Sequence, residues 1–584
     1  MKRLLFARKP LETHAEASGT LGSGDINIPV TPQNDLDPHV ERSRMDSITM
    51  SLLERLPQAI RHEGGLSRRL FVAYGAALAA LPALAARSAG TTDARVSFPA
   101  DPFQLGVASG DPDAHSVVLW TRLCPRPLEP GYGLTTERIP VRWELSETES
   151  MSRIVQRGTA LALPQLGHSV HVEVAGLRPG RFYWYRFHAG PATSPVGRTR
   201  TLPDPESLPR ELRFAFASCQ HYEDGHYTAY ERMAQDDPDL VFHLGDYIYE
   251  SPAKDNKVRR HTGPAKTRLI TLEDYRGRHA LYRSDRHLQE MHRRCPWFVT
   301  WDDHEFDDNY AAGVSWTPAD NPAEFLIRRA AAYQAYYEAM PLRAASMPQG
   351  PNMHLYRKAS FGRLAEFLVL DTRQYRTDQP NGDNNKPLNA AALDPRNSLL
   401  GAEQRNWMDR SLIASQAHWN VLAQQVMMGL VAFPGTAKDP EPIYSMDQWP
   451  GAAHERMAIA RFWADRRIPN PIVLTGDIHS NWVNDLRIDD RKPETPVVAT
   501  EFVGTSISSG GNGKQVPEEQ ARLRSMNPCV RFFNRERGYV RCTVTPQSWR
   551  SDYVAVEDIL KPGGRTTIRQ SFLVESGRPG AQAV

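Results

Sequence analysis

The stretch "HLGDYIYESP", residues 243–252, ends an apolar run with Gly-Asp and places a tyrosine three positions further on. The residues "DLVFHLG" (239–245) predict a buried strand. Asp246 and Tyr249 would then follow the carboxyl end of that strand, close enough together to bind one ion. An aspartate after a strand is also ordinary turn chemistry, and a tyrosine there often packs as a ring. The residues at the other strand ends of the chain indicate whether this is a turn or a metal site.

Six further apolar segments predict strands that alternate with helical patterns, which is typical of an α/β domain. They are "LRFAFAS" (212–218), "PWFVTW" (296–301), "AEFLVL" (365–370), "WNVLAQQ" (419–425), "PIVLTG" (471–476) and "VVATEFVG" (497–504). The clearest helical stretches are "LEDYRGRHALYRSDRHLQEMHRR" and "NPAEFLIRRAAAYQAYYEAM". We therefore expect an α/β domain beyond a proline-rich linker, "TLPDPESLPRE", at 201–211.

Polar residues follow these predicted strands in series. They are Cys219, Asp246, the run Asp302-Asp303-His304, Asp371 with Arg373, and Asp477 with His479. In open α/β sheets, ligands collect outside the carboxyl ends of the strands. Carboxylates gathered there repel one another, so we expect cations to hold them together. Mixed Asp, His, Tyr and Cys ligation suits a transition metal, and an all-oxygen set suits calcium or magnesium. Each residue alone could instead be a helix cap or a structural side chain.

The region before the linker, about residues 95–205, has the pattern of an all-β domain. The segments "SVVLWTRL", "IPVRWELS", "SVHVEVAGL" and "RFYWYRFHA" alternate apolar and polar residues, with turns such as "LRPGR" (177–181) between them. Short strands at this spacing predict a small immunoglobulin-like or fibronectin-like sandwich. Its aromatic row, Tyr183, Tyr185 and Phe187, is then expected in the core.

The composition is that of a globular protein and argues against several function classes. The 584 residues, of which 40% are apolar, are enough for two or three domains. The 70 basic and 68 acidic residues give a net charge of +2, which offers no general field for nucleic acid or an anionic membrane. No nucleic-acid-binding module is evident. The five cysteines are too few for a disulfide framework, although Cys529 and Cys542 could pair in an oxidising compartment.

Residues 66–90, "LSRRLFVAYGAALAALPALAARSAG", have the pattern of a twin-arginine export signal. Arg68 and Arg69 precede an apolar run rich in small residues, with a cleavage point near Ala85. The run is too short and too rich in alanine for a stable membrane span. We therefore expect residues 1–90 to be an N-terminal extension with this signal, the twin-arginine machinery to be a partner, and the mature protein to be periplasmic or secreted.

The motifs "GDYIY", "WDDHE" and "GDIHS", in this order with "ASCQ" upstream, resemble those of the PhoD-type alkaline phosphatases, a branch of the calcineurin-like metallophosphoesterases. The segments "FQLGVASGDP" and "VVLWTR" resemble the opening of the family's N-terminal domain, and "LDTRQYR", "LGAEQRNWM" and "WNVLAQQV" resemble its catalytic core. The resemblance implies a four-layer αββα metallophosphoesterase sandwich over residues 206–550. The small β domain would precede it, and a C-terminal extension, 551–584, would follow.

The resemblance also implies a role for each motif residue. For ferric iron (Fe3+) it implies four ligands. They are the phenolate of Tyr249, the thiolate of Cys219, the imidazole of His479 and the carboxylate of Asp246, which also bridges to the second metal. For calcium (Ca2+) it implies two further carboxylates, Asp303 and Asp477. Metal-binding motif positions are also occupied by Gln425 and Asn309. The catalytic positions are occupied by His304, which would contact the phosphate or the leaving group, and by Arg373. A histidine two residues after the cysteine, His221, is a conceivable further iron ligand.

The function implied is that of an exported phosphoesterase that hydrolyses phosphomonoesters, phosphodiesters or both by attack of a metal-activated hydroxide. A phospholipase D-like phosphodiesterase is an alternative with the same metal ligands, and a zinc-only enzyme is another, although Cys219 with Tyr249 favours iron. A surface-binding protein without catalysis is an alternative of a different class, but no core motif is broken. The segment "GTSISSGG" (504–511) lacks the nucleophile-elbow pattern and is expected to be a glycine-rich loop near the site.

Overall fold

The computed structural model describes residues 96–584, except for 256, 263–265, 318–319 and 437. The predicted export signal, within residues 1–90, lies outside the described residues. Within the described ranges, no helix combines the length and the apolar character that crossing a membrane requires. The secondary structure is mixed α/β, as the sequence predicts, with strands in three sheets and helices between them.

The largest sheet has ten strands and contains the strand that leads into "GDYIY". Its strands, in the order in which they hydrogen-bond, are β22 (Arg578–Ala583), β21 (Thr566–Glu575), β20 (Ser548–Val556), β19 (Gly538–Val544), β9 (Leu212–Ala217), β10 (Leu240–Leu244), β11 (Trp297–Thr300), β1 (Val107–Gly110), β2 (Val117–Arg122) and β5 (Ser169–Val174). Strands β9, β10 and β11 are parallel, so their carboxyl ends meet at one edge of the sheet.

The second sheet has seven strands and carries the other predicted strands of the α/β domain. In spatial order they are β12 (Arg357–Phe361), β13 (Ala365–Val369), β14 (Trp419–Ala423), β15 (Pro471–Thr475), β17 (Ala499–Val503), β16 (Asn481–Leu486) and β18 (Val530–Asn534). Strands β13, β14, β15 and β17 are parallel. All seven strands predicted for the α/β region are thus present in the two sheets.

The third sheet belongs to the N-terminal β region. It consists of β4 (Ile154–Ala162), β3 (Ile139–Ser146), β6 (Phe182–Ala189), β7 (Ala192–Thr193) and β8 (Gly197–Arg200). Tyr183, Tyr185 and Phe187 are buried in the cluster between this sheet and strands β1, β2 and β5, as predicted. Those three strands, however, extend the ten-stranded sheet, because β1 pairs in parallel with β11 at Gly110 and Trp297. Strand pairing therefore joins this region to the α/β part of the chain. The alternation of apolar and polar residues shows which side chains of a strand are buried, but not which other strand pairs with it.

The C-terminal segment differs from the prediction. The expected boundary at residue 550 falls inside β20, and β20, β21 and β22 pair antiparallel at one edge of the ten-stranded sheet. Residues 551–584 are therefore part of this sheet and not an extension. Strand β21 buries few of its side chains and β22 none, so the apolar alternation that predicts a strand is weak there.

Seven α-helices lie in the described part of the chain: α1 (Thr228–Asp236), α2 (Leu272–Arg283), α3 (Arg286–Arg294), α4 (Pro322–Ala339), α5 (Gly401–Ala414), α6 (Ala453–Arg466) and α7 (Pro517–Met526). Short 3₁₀ helices occur at Pro130–Gly133, Pro164–Leu166, Tyr222–Asp224, Ala344–Ser346, Pro380–Asp383 and Trp449–Ala452. The first predicted helical stretch is divided between α2 and α3. Asp285 caps α3 by accepting hydrogen bonds from the backbone N–H groups of His287 and Leu288, which starts a new helix.

The two larger sheets share an aromatic core. Phe214, Phe242, Phe367, Trp419 and Trp549 from both sheets lie in one buried cluster, with several rings edge to face. Helices α1 to α4 pack against the ten-stranded sheet in a second cluster, and α5 and α6 pack against the seven-stranded sheet in a third. This packing brings strand ends of both sheets together.

The cysteines are all buried and unpaired. Cys529 and Cys542, which could have formed a disulfide, lie in different core clusters. The structure therefore contradicts that pairing.

Candidate metal centre

Four of the predicted metal ligands have a left-handed backbone directly after a strand. The φ angles are 58° at Cys219 after β9, 57° at Asp246 after β10, and 65° and 54° at Asp477 and His479 after β15. For residues other than glycine this conformation is uncommon, and it persists where the surroundings enforce it, often at functional sites. The series of polar strand ends seen in the sequence is thus also a series of sharp turns.

The glycines that precede two of these aspartates allow the loops to approach closely. Gly245 has a φ of 110°, and a Cβ atom there would lie 2.4 Å from Cβ of Asp302. A Cβ atom at Gly476 would lie 2.6 Å from Oγ of Ser218. The glycine in "GDYIY" and in "GDIHS" therefore has a steric reason: no other residue leaves room for the neighbouring strand end.

The four predicted iron ligands converge. One ligand atom each from Cys219, Asp246 and His479 lies within 4.8 Å of the others. The Tyr249 hydroxyl donates to Oδ2 of Asp246 at 2.7 Å and lies 3.0 Å from Nε2 of His479. A thiol, a carboxylate, a phenol and an imidazole, from three strand ends, therefore face one another.

The predicted calcium carboxylates continue this cluster. Asp303 groups with Asp246 and His304 within 4.8 Å, and it groups in the same way with Asp302 and Asp477. Asp246 and Asp303 thus link the side of the cluster that holds Cys219 to the side that holds Asp477. The buried Asp302, which the sequence prediction did not include as a ligand, belongs to this second group.

The cluster carries more negative charge than its protein neighbours neutralise. Burial and the Asp246 carboxylate raise the pKa of both Tyr249 and Cys219 well above their ordinary values. Burial also raises the pKa of Asp302, and it raises that of Asp477 to about 7. Oδ1 of Asp246 is buried and has no hydrogen-bond partner among the described residues. A site for transition-metal and alkaline-earth cations is expected to have both soft and hard donors, several carboxylates close together, and a carboxylate oxygen without a protein partner. The residues present therefore fit a bound metal.

Arg373, predicted to be catalytic, lies beneath the carboxylates. Its side chain is 0% exposed, Nε donates to Asp302 at 2.5 Å, and Nη1 donates to Asp447 at 2.7 Å. Nη2 lies 3.7 Å from Asp303 and 3.6 Å from Asp477 without a hydrogen bond. Arg373 is therefore a buried counter-charge that holds the carboxylates in position, and its catalytic role stays a prediction.

Gln425, predicted to be a metal ligand, is fully buried and enclosed by protein hydrogen bonds. Its amide oxygen accepts from the backbone and hydroxyl of Thr372, and its amide nitrogen donates to Thr300, Trp301 and Leu370. These bonds tie together the ends of β11, β13 and β14, which is a structural role. The role of Gln425 as a metal ligand stays a prediction.

Asn309 acts on the cluster through its backbone. Its N–H donates to Oδ2 of Asp303 at 2.8 Å, and its side-chain amide donates to Asp383 at 2.7 Å. The φ angle of 49° turns the chain so that the N–H faces the carboxylate. The contact positions Asp303, and the role of Asn309 as a direct ligand stays a prediction.

His304 lies at the open side of the cluster. Its side chain is 20% exposed, and Nδ1 lies 2.8 Å from Oε2 of Glu250. Burial alone would lower the pKa of His304, but the carboxylates of Asp303 and Glu250 raise it well above its ordinary value. The ring also packs on Tyr249, with centroids 4.3 Å apart. The ring of His304 thus lies between two carboxylates and a tyrosine with part of its surface open to solvent, and its contact with a phosphate stays a prediction.

Sequence reasoning missed several residues that organise the centre. The carboxylate of Glu305 accepts from the backbone N–H groups of Asp246, Tyr247 and Asp302, so it clamps two strand ends. Glu250 and Glu305 directly follow the quoted motif residues and could have been found there. Asp447, which accepts from Arg373, lies in a segment without any recognisable motif.

The conceivable further ligand, His221, and the other tyrosine of the motif, Tyr247, are not part of the iron group. His221 groups with Glu223 and His261, and Nδ1 of its ring accepts from the backbone of Glu223 at 3.3 Å. The hydroxyl of Tyr247 lies 2.9 Å from His292 and accepts from Arg283 at 2.8 Å, away from the cluster. Neither residue joins the group formed by Cys219, Asp246 and His479.

Comparison with known proteins agrees with this geometry. The family model "PhoD-like phosphatase" matches residues 214–553, and "PhoD-like phosphatase, N-terminal domain" matches residues 88–203. The chain is 48% identical over 497 residues to alkaline phosphatase D of Bacillus subtilis (strain 168), which covers 84% of each protein. A solved structure titled "Structure of PhoD" superposes with a TM-score of 0.80 at 48% identity, over 84% of this chain and 93% of that one. The chain whose strand ends gather these ligands therefore belongs to the PhoD-like phosphatase family.

Proposed function

We propose that the protein is a metal-dependent phosphoesterase, and that phosphate esters are its substrates. The observation that carries the proposal is the convergence of Cys219, Asp246, Tyr249 and His479 beside the carboxylates of Asp303 and Asp477. The relative from Bacillus subtilis is named an alkaline phosphatase, and this chain matches it over most of both lengths. The chemistry of the cluster and the family thus point to the same reaction.

The two metals are proposed to be Fe3+ and Ca2+. Phenolate and thiolate donors favour Fe3+ on the side of Tyr249 and Cys219, with His479 as a third ligand and Asp246 shared between the metals. Carboxylate oxygens favour Ca2+ on the side of Asp303 and Asp477. Bound there, the cations would supply Lewis-acid polarisation of the phosphoryl group and neutralise its charge.

His304 is proposed as the residue that donates a proton to the phosphate or to the departing alcohol. Glu250 occupies the Nδ1 side of the ring, whereas Nε2 lies 4.0 Å from Oδ1 of the exposed Asp308 without a hydrogen bond among the described residues and is available to a substrate. Donation by a positioned acid strengthens as charge develops on the leaving oxygen, so it lowers the barrier and not simply the KM. Rates on a monoester, a bis-ester and phosphatidylcholine, measured side by side, would establish which class of ester the site accepts.

The finer statements on architecture are part of the same proposal. The clusters on both faces of the paired sheets support a four-layer αββα sandwich for the catalytic region. The N-terminal β region is proposed to be Ig-like in its packing, and residues 1–90 are proposed to direct export through the twin-arginine machinery to the periplasm or medium. Replacing Arg68 and Arg69 with lysine should leave the precursor in the cytoplasm, and equal export of that variant would refute the signal.

The proposal is tested by metal analysis and visible spectroscopy of protein purified without chelator. A ferric phenolate gives a broad visible absorption, so Tyr249→Phe should bleach or strongly shift the band and lower the iron content. Tyr247→Phe is a matched control, because it also removes a buried hydroxyl with polar partners but lies outside the cluster. Cys219→Ser measures any thiolate contribution. An iron-loaded protein that is colourless, or whose colour survives Tyr249→Phe, contradicts the assignment.

A further inference from the structure

The segment "GTSISSGG", residues 504–511, is hydrogen-bonded along the loop that carries Cys219. The backbone N–H of Ile507 donates to the carbonyl of Ser218 at 3.0 Å, and Oγ of Ser508 donates to the carbonyl of His221 at 2.8 Å. Ser218 and Ser506 also form an isolated parallel bridge. The serine-rich segment therefore follows the turn that presents the thiol, although no catalytic step described above uses it.

Ser509 connects this segment to the tyrosine of the cluster. Its side chain is 1% exposed, and Oγ accepts a hydrogen bond from the backbone N–H of His221 at 3.0 Å. Oγ also lies 2.7 Å from the carbonyl oxygen of Cys219 and 2.7 Å from the hydroxyl oxygen of Tyr249. The hydroxyl of Ser509 thus has one hydrogen to donate and two oxygen atoms within reach.

The charge on Tyr249 determines which of these two oxygen atoms accepts the hydrogen bond from Ser509. While Tyr249 is a neutral phenol, its own hydrogen is donated to Asp246 at 2.7 Å, and the Cys219 carbonyl is an equally good acceptor for Ser509. A phenolate has lost that hydrogen and carries negative charge. Hydrogen bonds to charged acceptors are roughly twice as strong as neutral ones. The Ser509 hydroxyl, already supported by the His221 N–H, would then turn to the phenolate.

We propose that Ser509 is a positioning residue that donates a hydrogen bond to the Tyr249 phenolate and so tunes the iron site. The inference rests on the proposed function, because it requires iron on Tyr249. A hydrogen bond to a ligand withdraws electron density from it, and outer contacts of this kind adjust both metal affinity and reduction potential. Without the donor, the phenolate gives more electron density to Fe3+. The charge-transfer band should then move to longer wavelength, and the reduction potential should become more negative.

The test compares Ser509→Ala with Ser508→Ala in the full-length, iron-loaded protein. Both serines are buried in the same loop and each donates one short hydrogen bond, but the bond of Ser508 goes to the carbonyl of His221. Metal content, the visible spectrum and the iron reduction potential are measured for both, with thermal unfolding to compare their stability. Ser509→Ala should show the red shift and the lower potential at unchanged iron content, and Ser508→Ala should keep the wild-type values.

An unshifted band in Ser509→Ala would overturn the inference. An equal shift in both variants would also overturn it, because that result would mean general loosening of the loop. If Ser509→Ala does not fold, Ser509→Cys keeps a side chain of similar size with a much weaker donor, and the same red shift is expected. Tyr249→Phe separates this inference from the function on which it rests. A band that survives Tyr249→Phe refutes iron on the tyrosine, whereas a band that Tyr249→Phe removes but Ser509→Ala leaves unshifted refutes the role of Ser509 alone.

Discussion

Replacing Arg373 with methionine removes the buried cation that lies among four carboxylates. The guanidinium donates to Asp302 and Asp447 and lies within 3.7 Å of Asp303 and 3.6 Å of Asp477. Methionine fills a comparable volume without a charge or a donor. We expect Arg373→Met to lower both the free energy of unfolding and the metal content.

The magnitude follows from the loss of two buried ion-pair contacts. Removing one partner of a buried pair typically costs about 3–5 kcal/mol, since the remaining charge is left without compensation. Asp447 keeps a second partner in Arg376 at 3.0 Å, but Asp302 loses its guanidinium. Burial already raises the pKa of Asp302 well above its ordinary value, so protonation of this carboxyl can relieve part of the cost. The loss should therefore be smaller at pH 5 than at pH 8.

Arg456→Met is the matched control for this experiment. Arg456 is equally buried and pairs with Asp490 at 2.7 Å, but it lies outside the metal cluster. Chemical denaturation of both variants at the two pH values gives the free energies, and metal analysis with phosphatase kinetics gives the effect on the site. Both variants should be destabilised by a few kcal/mol, but Arg373→Met alone should lose metal and kcat.

A variant Arg373→Met that keeps its stability and metal and shows a raised KM would refute this reasoning, because that result is expected of a direct phosphate contact. Should Arg373→Met fail to fold, Arg373→Lys tests the same point. Lysine keeps the charge but cannot form the forked contacts of a guanidinium, so partial loss of metal is expected.

Three further predictions concern the acid, the shared ligand and pH. His304→Ala should lower kcat by roughly 100-fold at nearly unchanged metal content, because it removes a positioned donor and no ligand; an unchanged kcat contradicts this. Asp246→Asn should instead lose both metals on elemental analysis, since it weakens the carboxylate they share, and full metal retention contradicts the bridging role. Burial lowers the pKa of His243 and His279 to about 3 and that of His292 well below its ordinary value, so the folded protein binds fewer protons than the unfolded chain below pH 6.5. Stability should therefore be lost as the pH falls below 6.5, by up to about 1.4 kcal/mol per pH unit for each histidine, and denaturation of His279→Leu should show a shallower loss.

The part of the site that depends on local chain chemistry could be predicted from the sequence. An apolar run that ends in Gly-Asp marks a strand end, and parallel strands bring such ends together, which was enough to place Asp246, Asp303 and Asp477 in one cluster. The enclosed positions of Gln425 and Arg373 could not be predicted in this way, because a motif position does not state whether a side chain faces solvent or the interior. Their hydrogen bonds to neighbouring strand ends depend on tertiary packing.

The sheet order could not be predicted for a similar reason. Periodicity identifies a strand and its buried face, but the parallel pairing of β1 with β11 joins residues far apart in the sequence. The edge strands β21 and β22 are mostly solvated and therefore lack the apolar alternation that a prediction needs. The predicted domains and the observed sheets thus differ because of two features, the pairing of strands far apart in the sequence and the solvated strands at the sheet edge.

The backbone of the candidate site is held by protein contacts that do not involve a metal. The N–H of Cys219 donates to the carbonyl of Gly245 at 3.1 Å, and the N–H of Gln220 donates to that of Asp246 at 3.0 Å, so the turns after β9 and β10 are tied together. Arg537 donates to the carbonyl of His479 at 2.6 Å and supports the third turn. Left-handed residues of this kind cost about 1–3 kcal/mol each, and these bonds offset that strain before any cation arrives. These backbone contacts therefore hold the three turns that present Cys219, Asp246 and His479 to one another.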